Sequence, residues 1–333
     1  MLSVICPIYN EEKYIAKCIE SILEQDYPKE CVEVIFADGM STDRTREIVA
    51  EYSTRYPWIF LIDNPARIVP PALNAAIAAA HGEVIMRIDA HAIYPSDYFS
   101  RLTSALSELK ADNVGGVCIT LPVNNSPVAK AIAFVLSSRF GMGNSSFRVG
   151  VKETKQVDTV PFGCWPRSIF EKIGYFDTDL IRNQDDEFNG RIIKNGGKIY
   201  LIPEVEIKYF ARDKMGKVWK MFYQYGLFKP LVNKKLGSPA SLRQFFPLLF
   251  VIGLMGGTLL DLIFPLFMYV HLGVIFLYLV LSVLFSLKAT RDPIVMFWMV
   301  VSYATVHIGY GWGYLCGIFK LFARQSFFVK ANR

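Results

Sequence analysis

A chain of 333 residues with 52% hydrophobic content would ordinarily make two domains, but its apolar residues are unevenly spread, and the first two-thirds reads as a soluble domain. The formal charge of +6 comes with no helix-turn-helix, zinc-ligand or RNP pattern, which sets nucleic acid aside as a partner. Six cysteines (Cys6, Cys18, Cys31, Cys118, Cys164, Cys316) lack Cys-x-x-Cys spacing and fall mostly in apolar runs, as reduced, buried thiols do.

The chain opens on a strand-like run without the charged leader of a secretory signal, so the first two-thirds is expected to stay in the cytosol. Residues 2–8 read as a buried strand. Residues 11–25 read as a helix with Ile15, Ile19, Ile22 and Leu23 on one face, closed by Pro28. A strand over 32–37, a turn of Asp38, Gly39 and Ser41, and a helix over 42–56 follow. Next come a short strand over 59–62, an Ala-rich helix over 70–80 and a strand over 83–89. Alternation of this kind implies an α/β fold with parallel pairing and right-handed crossovers.

Pro95 fits the first turn of a helix running to 109. Strands are expected over 114–121, 156–160 and 198–202, and helices over 168–173, 185–195 and 214–228. Residues 124–151 are too mixed to assign and are read as a helix with an acceptor-side loop. Between Ile207 and Arg243, nine basic residues (Lys208, Arg212, Lys214, Lys217, Lys220, Lys229, Lys234, Lys235 and Arg243) face one acid, Asp213. Basic residues just ahead of a first span fit the positive-inside rule and attraction to anionic lipid.

Residues 245–287 carry Asp261 as their one charge, and 294–319 carry none. At roughly 20 apolar residues per span, the first stretch holds about two spans and the second about one. Asp261 and Pro265 mark the turn between the first two. A full third span would place Lys320, Arg324, Lys330 and Arg333 outside, against the positive-inside rule, unless the Gly-rich segment 307–317 re-enters or lies at the interface. His307 reads as a helix-packing contact.

Acids gather where three apolar runs end: Tyr9-Asn10-Glu11, Asp38 to Asp43, and Asp89-Ala90-His91. In an open α/β sheet, ligands bind at the carboxyl ends of the strands, so these point to one site for a nucleotide and a metal. Asp38 suits hydrogen bonds to a base or ribose, and Asp43 suits support of the following helix start. Asp89 and His91, at i and i+2 where a strand ends, can both face a divalent cation such as Mn²⁺ or Mg²⁺. Asp185-Asp186-Glu187 fits either a helix start or, through mutual repulsion, a general base.

The ordered set resembles the family-2 type of inverting glycosyltransferases with the GT-A, Rossmann-like nucleotide-sugar fold. The resemblance spans residues 2–228 and rests on Ser3 to Glu12, Ala37-Asp38-Gly39 through Thr45, Leu73-Asn74 through Glu83, Arg87 to His91, and Gln184-Asp185 with Arg191. With Gln224-Tyr225-Gly226 ahead of an apolar tail, it is most similar to succinoglycan-type exopolysaccharide glucosyltransferases. The resemblance implies that Pro7, Tyr9, Glu11 and Asp38 cradle the nucleobase and ribose, that Asp89 and His91 hold the metal on the diphosphate, and that Asp185 is the base. His91 stands where the family usually has Asp, and Gln184 where it has Glu. The Arg-Trp of processive synthases is missing after Gln224, which implies one sugar per encounter.

The expected function is transfer of a hexose from a nucleotide sugar, UDP-glucose-like, to a polyprenyl-linked saccharide at the inner membrane face, within a polysaccharide assembly complex. The expected organisation is a GT-A domain over 1–230, a basic linker over 231–244, three transmembrane or interfacial helices over 245–320 and a basic tail over 321–333. Transfer directly to polyprenyl phosphate is the near alternative. A non-catalytic nucleotide-binding subunit of an export complex is the alternative of another class, and a pure binding role needs no base at Asp185. A small transporter is disfavoured by so few spans with one acid within them.

Overall fold

The computed structural model describes residues 1–239 and 241–327. Lys330 and Arg333, at the end of the expected basic tail, lie outside the described residues.

Two long apolar runs make the centre of the sheet: β1 (Leu2–Ile8) and β2 (Val32–Asp38) are buried along their whole length, as strands covered on both faces must be. They are joined through α1 (Ile15–Leu23), and α2 (Thr45–Arg55) leads to β3 (Ile59–Asp63). Then α3 (Val69–Ala79) leads to β4 (Val84–Arg87). β3, β2, β1 and β4 pair in parallel, with Leu2 opposite both Val32 and Val84.

The remaining strands turn the sheet into a mixed one. After β4 come β5 (Ala92–Ile93), α4 (Tyr98–Glu108) and β6 (Asn113–Leu121). Three short helices follow, α5 (Pro127–Leu136), α6 (Arg139–Met142) and α7 (Ser146–Val149). The chain then adds β7 (Lys155–Gln156), β8 (Cys164–Pro166), α8 (Ser168–Ile173), α9 (Gln184–Lys194) and β9 (Ile199–Phe210). The strand order is β3-β2-β1-β4-β8-β6-β9-β5, with β7 on β9. β8 runs antiparallel to β4 and to β6, and β5 and β7 run antiparallel to β9. The antiparallel β8 therefore interrupts the parallel run of strands.

Several local expectations are corrected. The first helix starts at Ile15, not 11, because residues 11–14 form a turn whose amides serve the neighbouring loop. Pro95 precedes α4 rather than entering it; its carbonyl accepts from Gln25 Nε2 at 2.7 Å and from the Tyr98 amide at 3.1 Å. The strand expected over 156–160 shrinks to β7, since the chain leaves to place Thr159 against Asn189 and then bends at Phe162 and Gly163, both at positive φ. A side chain at Gly163 would meet the Trp165 indole.

The chain forms two compact units. One comprises Met1–Ile119 and Gly150–Tyr209; the other comprises Thr120–Val149 and Phe210–Phe327. The second holds α10 (Met215–Leu236), α11 (Phe245–Ile263), α12 (Phe267–Ala289) and α13 (Pro293–Phe322). Residues Leu242–Ile263, Phe267–Ala289 and Pro293–Phe322 are each long and apolar enough to cross a membrane. α13 runs for 30 residues, about 45 Å at 1.5 Å per residue, with no break at 307–317, so that segment is not a re-entrant loop.

The core of the second unit joins α5, α10 and α13 through Ile132, Val135, Val218, Phe222, Met299 and Tyr303. Helices α10 and α13 approach closely through glycines. A methyl group on Gly226 would strike the Tyr310 carbonyl, and one on Gly313 would strike the Tyr223 carbonyl. His307 packs as expected: its Nδ1 lies 2.9 Å from the Tyr278 hydroxyl and its Nε2 2.9 Å from the Phe140 carbonyl.

Candidate active site

The turns that follow β1 and β2 are laced to each other. Asn10, at φ 54°, donates its amide to Ser41 Oγ at 2.8 Å, and its Oδ1 accepts the Thr42 amide at 2.9 Å. The Glu11 amide reaches Thr45 Oγ1 at 2.7 Å. Asp43 accepts from the Thr45 amide and hydroxyl at 3.1 and 2.6 Å; burial works against its charge, but these bonds hold its carboxyl below the usual range. Asn10, Ser41 and Thr45 thus build the loop pair, which the acids alone did not signal.

Asp38 is fully buried. Its Oδ2 accepts from the Ser41 amide at 2.9 Å and from Arg46 at 2.7 Å, and its Oδ1 accepts the Ser41 hydroxyl at 2.5 Å. Arg46 also grips Asp63 at 2.8 Å, so one guanidinium ties the ends of β2 and β3. A carboxylate has about four lone-pair positions. Two are spent on the turn and a third on Arg46.

Beside this turn lies a cleft, open to solvent and lined by Pro7, Tyr9, Gly39, Asn64, Arg67 and Arg182 among others. Gly39 lies flat against Tyr9, where a Cβ would come within 3.3 Å of its ring. Arg67 and Arg182 escaped the sequence reading. The signal for Arg67 was the Asn64-Pro65 turn directly after β3, which ends with Arg67 at φ 58°.

Asp89 and His91 leave the end of β4. The Tyr94 hydroxyl accepts the Asp89 amide at 2.7 Å and donates to the Asp89 carbonyl at 3.2 Å, closing the turn. Arg87 Nε and Nη2 reach Asp89 Oδ1 at 3.3 and 3.1 Å. Burial disfavours the Arg87 charge, yet Asp89 and then Asp185 outweigh it and raise its pKa. Glu11 lies against His91, with Oε1 3.8 Å from Nδ1, and is not among the residues lining the cleft. The His91 ring also meets Tyr209 edge-on at 5.7 Å.

The three acids at the start of α9 separate by environment. Glu187 is buried and bonded to Arg191 at 2.6 and 2.9 Å, so repulsion among three adjacent carboxylates does not describe it. Arg191 further donates to the carbonyls of Ile173, Gly174 and Tyr175, which makes it a brace for the helix. Asp185 and Asp186 are half-buried, and the Asp186 amide donates to Asp185 Oδ1 at 3.0 Å. Asn183, at φ 60°, turns the chain into the helix. A buried chain of amides, Asn113 to Asn189 to Thr159 at 2.8 Å each, pins α9 to the sheet.

Among the described residues, no three His, Cys, Asp or Glu side chains form a closed metal cage. Asp89 and His91 supply a carboxylate and an imidazole, and a cation held by so few protein ligands would take its others from the phosphates of a nucleotide.

Comparison with known proteins agrees with this geometry. Over 242 residues the chain is 35% identical to a dolichyl N-acetyl-alpha-D-glucosaminyl phosphate 3-beta-D-2,3-diacetamido-2,3-dideoxy-beta-D-glucuronosyltransferase of Methanococcus voltae, covering 70% of this chain and 74% of the relative. It is 31% identical to the succinoglycan biosynthesis protein ExoA of Rhizobium meliloti, covering 74% of each. Among solved structures, a mannosyltransferase from Pyrobaculum calidifontis in complex with GDP-Man and Mn²⁺ superposes with a TM-score of 0.59 at 19% identity, over 94% of this chain and 86% of that one. S. aureus TarS 1-349 in complex with UDP-GlcNAc superposes with a TM-score of 0.55 at 17% identity, over 98% and 93%. These two likenesses establish the GT-A fold. Residues 3–174 match the family described as Glycosyl transferase family 2, and the chain is a member of that family, a glycosyltransferase whose C-terminal apolar helices fit a membrane-bound enzyme.

Proposed function

We propose that this glycosyltransferase transfers a hexose with inversion from a nucleoside diphosphate sugar, UDP-glucose-like, to a polyprenyl-linked saccharide in the assembly of a cell-surface glycan. The observation that carries this reading is the group Arg87, Asp89 and His91 at the carboxyl end of β4, in the same unit as Asp185 and the open cleft lined by Pro7 and Tyr9. The relatives' names, one a dolichyl-phosphate sugar transferase and one a succinoglycan biosynthesis protein, support the class of acceptor.

In this reading Pro7, Tyr9 and Asp38 hold the nucleoside, with Arg67 and Arg182 at the rim of the cleft, and Glu11 backs His91. Asp89 and His91 hold Mn²⁺ or Mg²⁺ on the diphosphate; when bound, the ion neutralises charge on the leaving group. Asp185 accepts the proton of the acceptor hydroxyl as that oxygen attacks the anomeric carbon from the face opposite the diphosphate. A catalytic domain over 1–230 faces the cytosol, a basic linker over 231–244 contacts anionic lipid, and residues 245–320 cross the inner membrane as a multi-pass anchor.

Full-length protein incubated with UDP-glucose, MnCl₂ and lipid-linked acceptor should give a product heavier by one hexose. Asp185→Asn should lower kcat by about 10³-fold with UDP affinity kept. A mutant turning over at the wild-type rate rejects the base assignment.

A further inference from the structure

We infer that Arg87 is a positioning residue of the transfer reaction, fixing Asp89 through one carboxylate oxygen. This rests on the function proposed above. Both bonds from the guanidinium end on Oδ1 of Asp89, so Arg87 takes up one oxygen of the carboxylate and not the other. The backbone of the same aspartate is locked separately by Tyr94. Arg87 is itself held by its amide, which donates to the Gly163 carbonyl at 2.9 Å, at the Phe162-Gly163 bend where both residues have positive φ. Aspartate, arginine and bend form one rigid unit.

The residue is 7% exposed, and a guanidinium buried to that degree persists only with acids around it. The acid it reaches is Asp89, the candidate metal ligand, whose Oδ1 takes both of its N–H groups. Lysine would keep the charge but lose the planar fork that holds one oxygen by two N–H groups.

The test uses the full-length chain in nanodiscs with Arg87→Met and Arg87→Lys. Mn²⁺ affinity is read by electron paramagnetic resonance with UDP, and with GDP as a second probe, and kcat and KM are read with UDP-glucose and lipid-linked acceptor. Arg87→Met should weaken Mn²⁺ binding at least tenfold and lower kcat at saturating Mn²⁺ about 100-fold, with KM for acceptor within about threefold. Arg87→Lys should recover about tenfold of the lost kcat at an unchanged unfolding midpoint.

The inference is overturned if Arg87→Met leaves both Mn²⁺ affinity and kcat within threefold of wild type. It is equally overturned if Met and Lys lose activity alike in step with a lowered unfolding midpoint, which is the behaviour of a packing residue. A wild-type chain that binds Mn²⁺ with neither nucleotide rejects the function proposed above, and this role with it. Wild-type binding without transfer rejects the donor or acceptor alone, and the Mn²⁺ arm still decides for Arg87.

Discussion

The turns after β1 and β2 and the facing surfaces of α10 and α13 hold backbone in place by opposite means. In the turns, side-chain oxygens of Asn10, Ser41, Asp43 and Thr45 satisfy amides across a gap between strands, and Asp38 satisfies one within its own turn. Between the helices the means is the absence of side chains: Gly226 and Gly313 let backbone meet backbone. The first device specifies where individual atoms lie and leaves volume free for a ligand. The second specifies distance and leaves no volume at all. Polar substitutions should therefore register as changes in ligand affinity in one region, and added volume as loss of fold in the other.

The harshest break of this contrast is Gly313→Leu. Its side chain would run into the Tyr223 carbonyl and the Leu227 amide, atoms of a helix that cannot yield by rotamer change, so about 3 kcal/mol or more of stability should be lost in detergent unfolding. Asp38→Asn should come next. It leaves the Arg46 guanidinium with a neutral partner on that side, which should cost about 1.5–3 kcal/mol and weaken UDP binding about tenfold, as titration calorimetry would show. A variant that loses stability but keeps its UDP affinity would remove Asp38 from the nucleoside site.

His307→Phe should be milder, about 1–2 kcal/mol, since the aromatic ring is kept while bonds to Tyr278 and Phe140 are lost. UDP affinity should not change, and a drop would show that the helices reach the donor cleft. The smallest effect belongs to Glu33, at the end of the sheet away from the site. Burial works against its charge, but Ser3 at 2.6 Å and the His81 amide at 2.5 Å outweigh it and lower its pKa. A carboxylate lowered on folding stabilises the fold above its unfolded value of about 4.3, and that stability fades as pH falls through the folded value. The acid limb of the stability curve should flatten in Glu33→Gln.

What was legible in the residues follows the same division. The buried strands 2–8 and 32–37 showed as unbroken apolar runs, and the acids beyond them marked the carboxyl ends correctly because strand ends are local. β8 was missed: three residues, Cys164–Pro166, carry no periodicity, yet they fill the middle of the sheet through pairing with β4 and β6. Arg87 read as one letter of a motif, because its importance lies in burial beside Asp89, and burial is a property of the whole fold. Residues 124–151 were unreadable for a related reason. Their helix α5 packs its apolar face on α10 and α13, partners that come some eighty residues or more later in the chain, so no local pattern declares what that face is for.

That pairing of distant segments sets an order of events during synthesis. Helices α5 and α6 emerge from the ribosome well before Tyr278, Arg243 and His307, which hold the segment at Phe140 and Asn144. At about 5–20 residues per second, the apolar face of α5 waits on the order of ten seconds or more for its partners. A chain stopped before α13 would lack one of the two partners of that face, and the length of that wait makes the nascent chain, more than the finished enzyme, the form that depends on chaperones and on prompt delivery to a membrane.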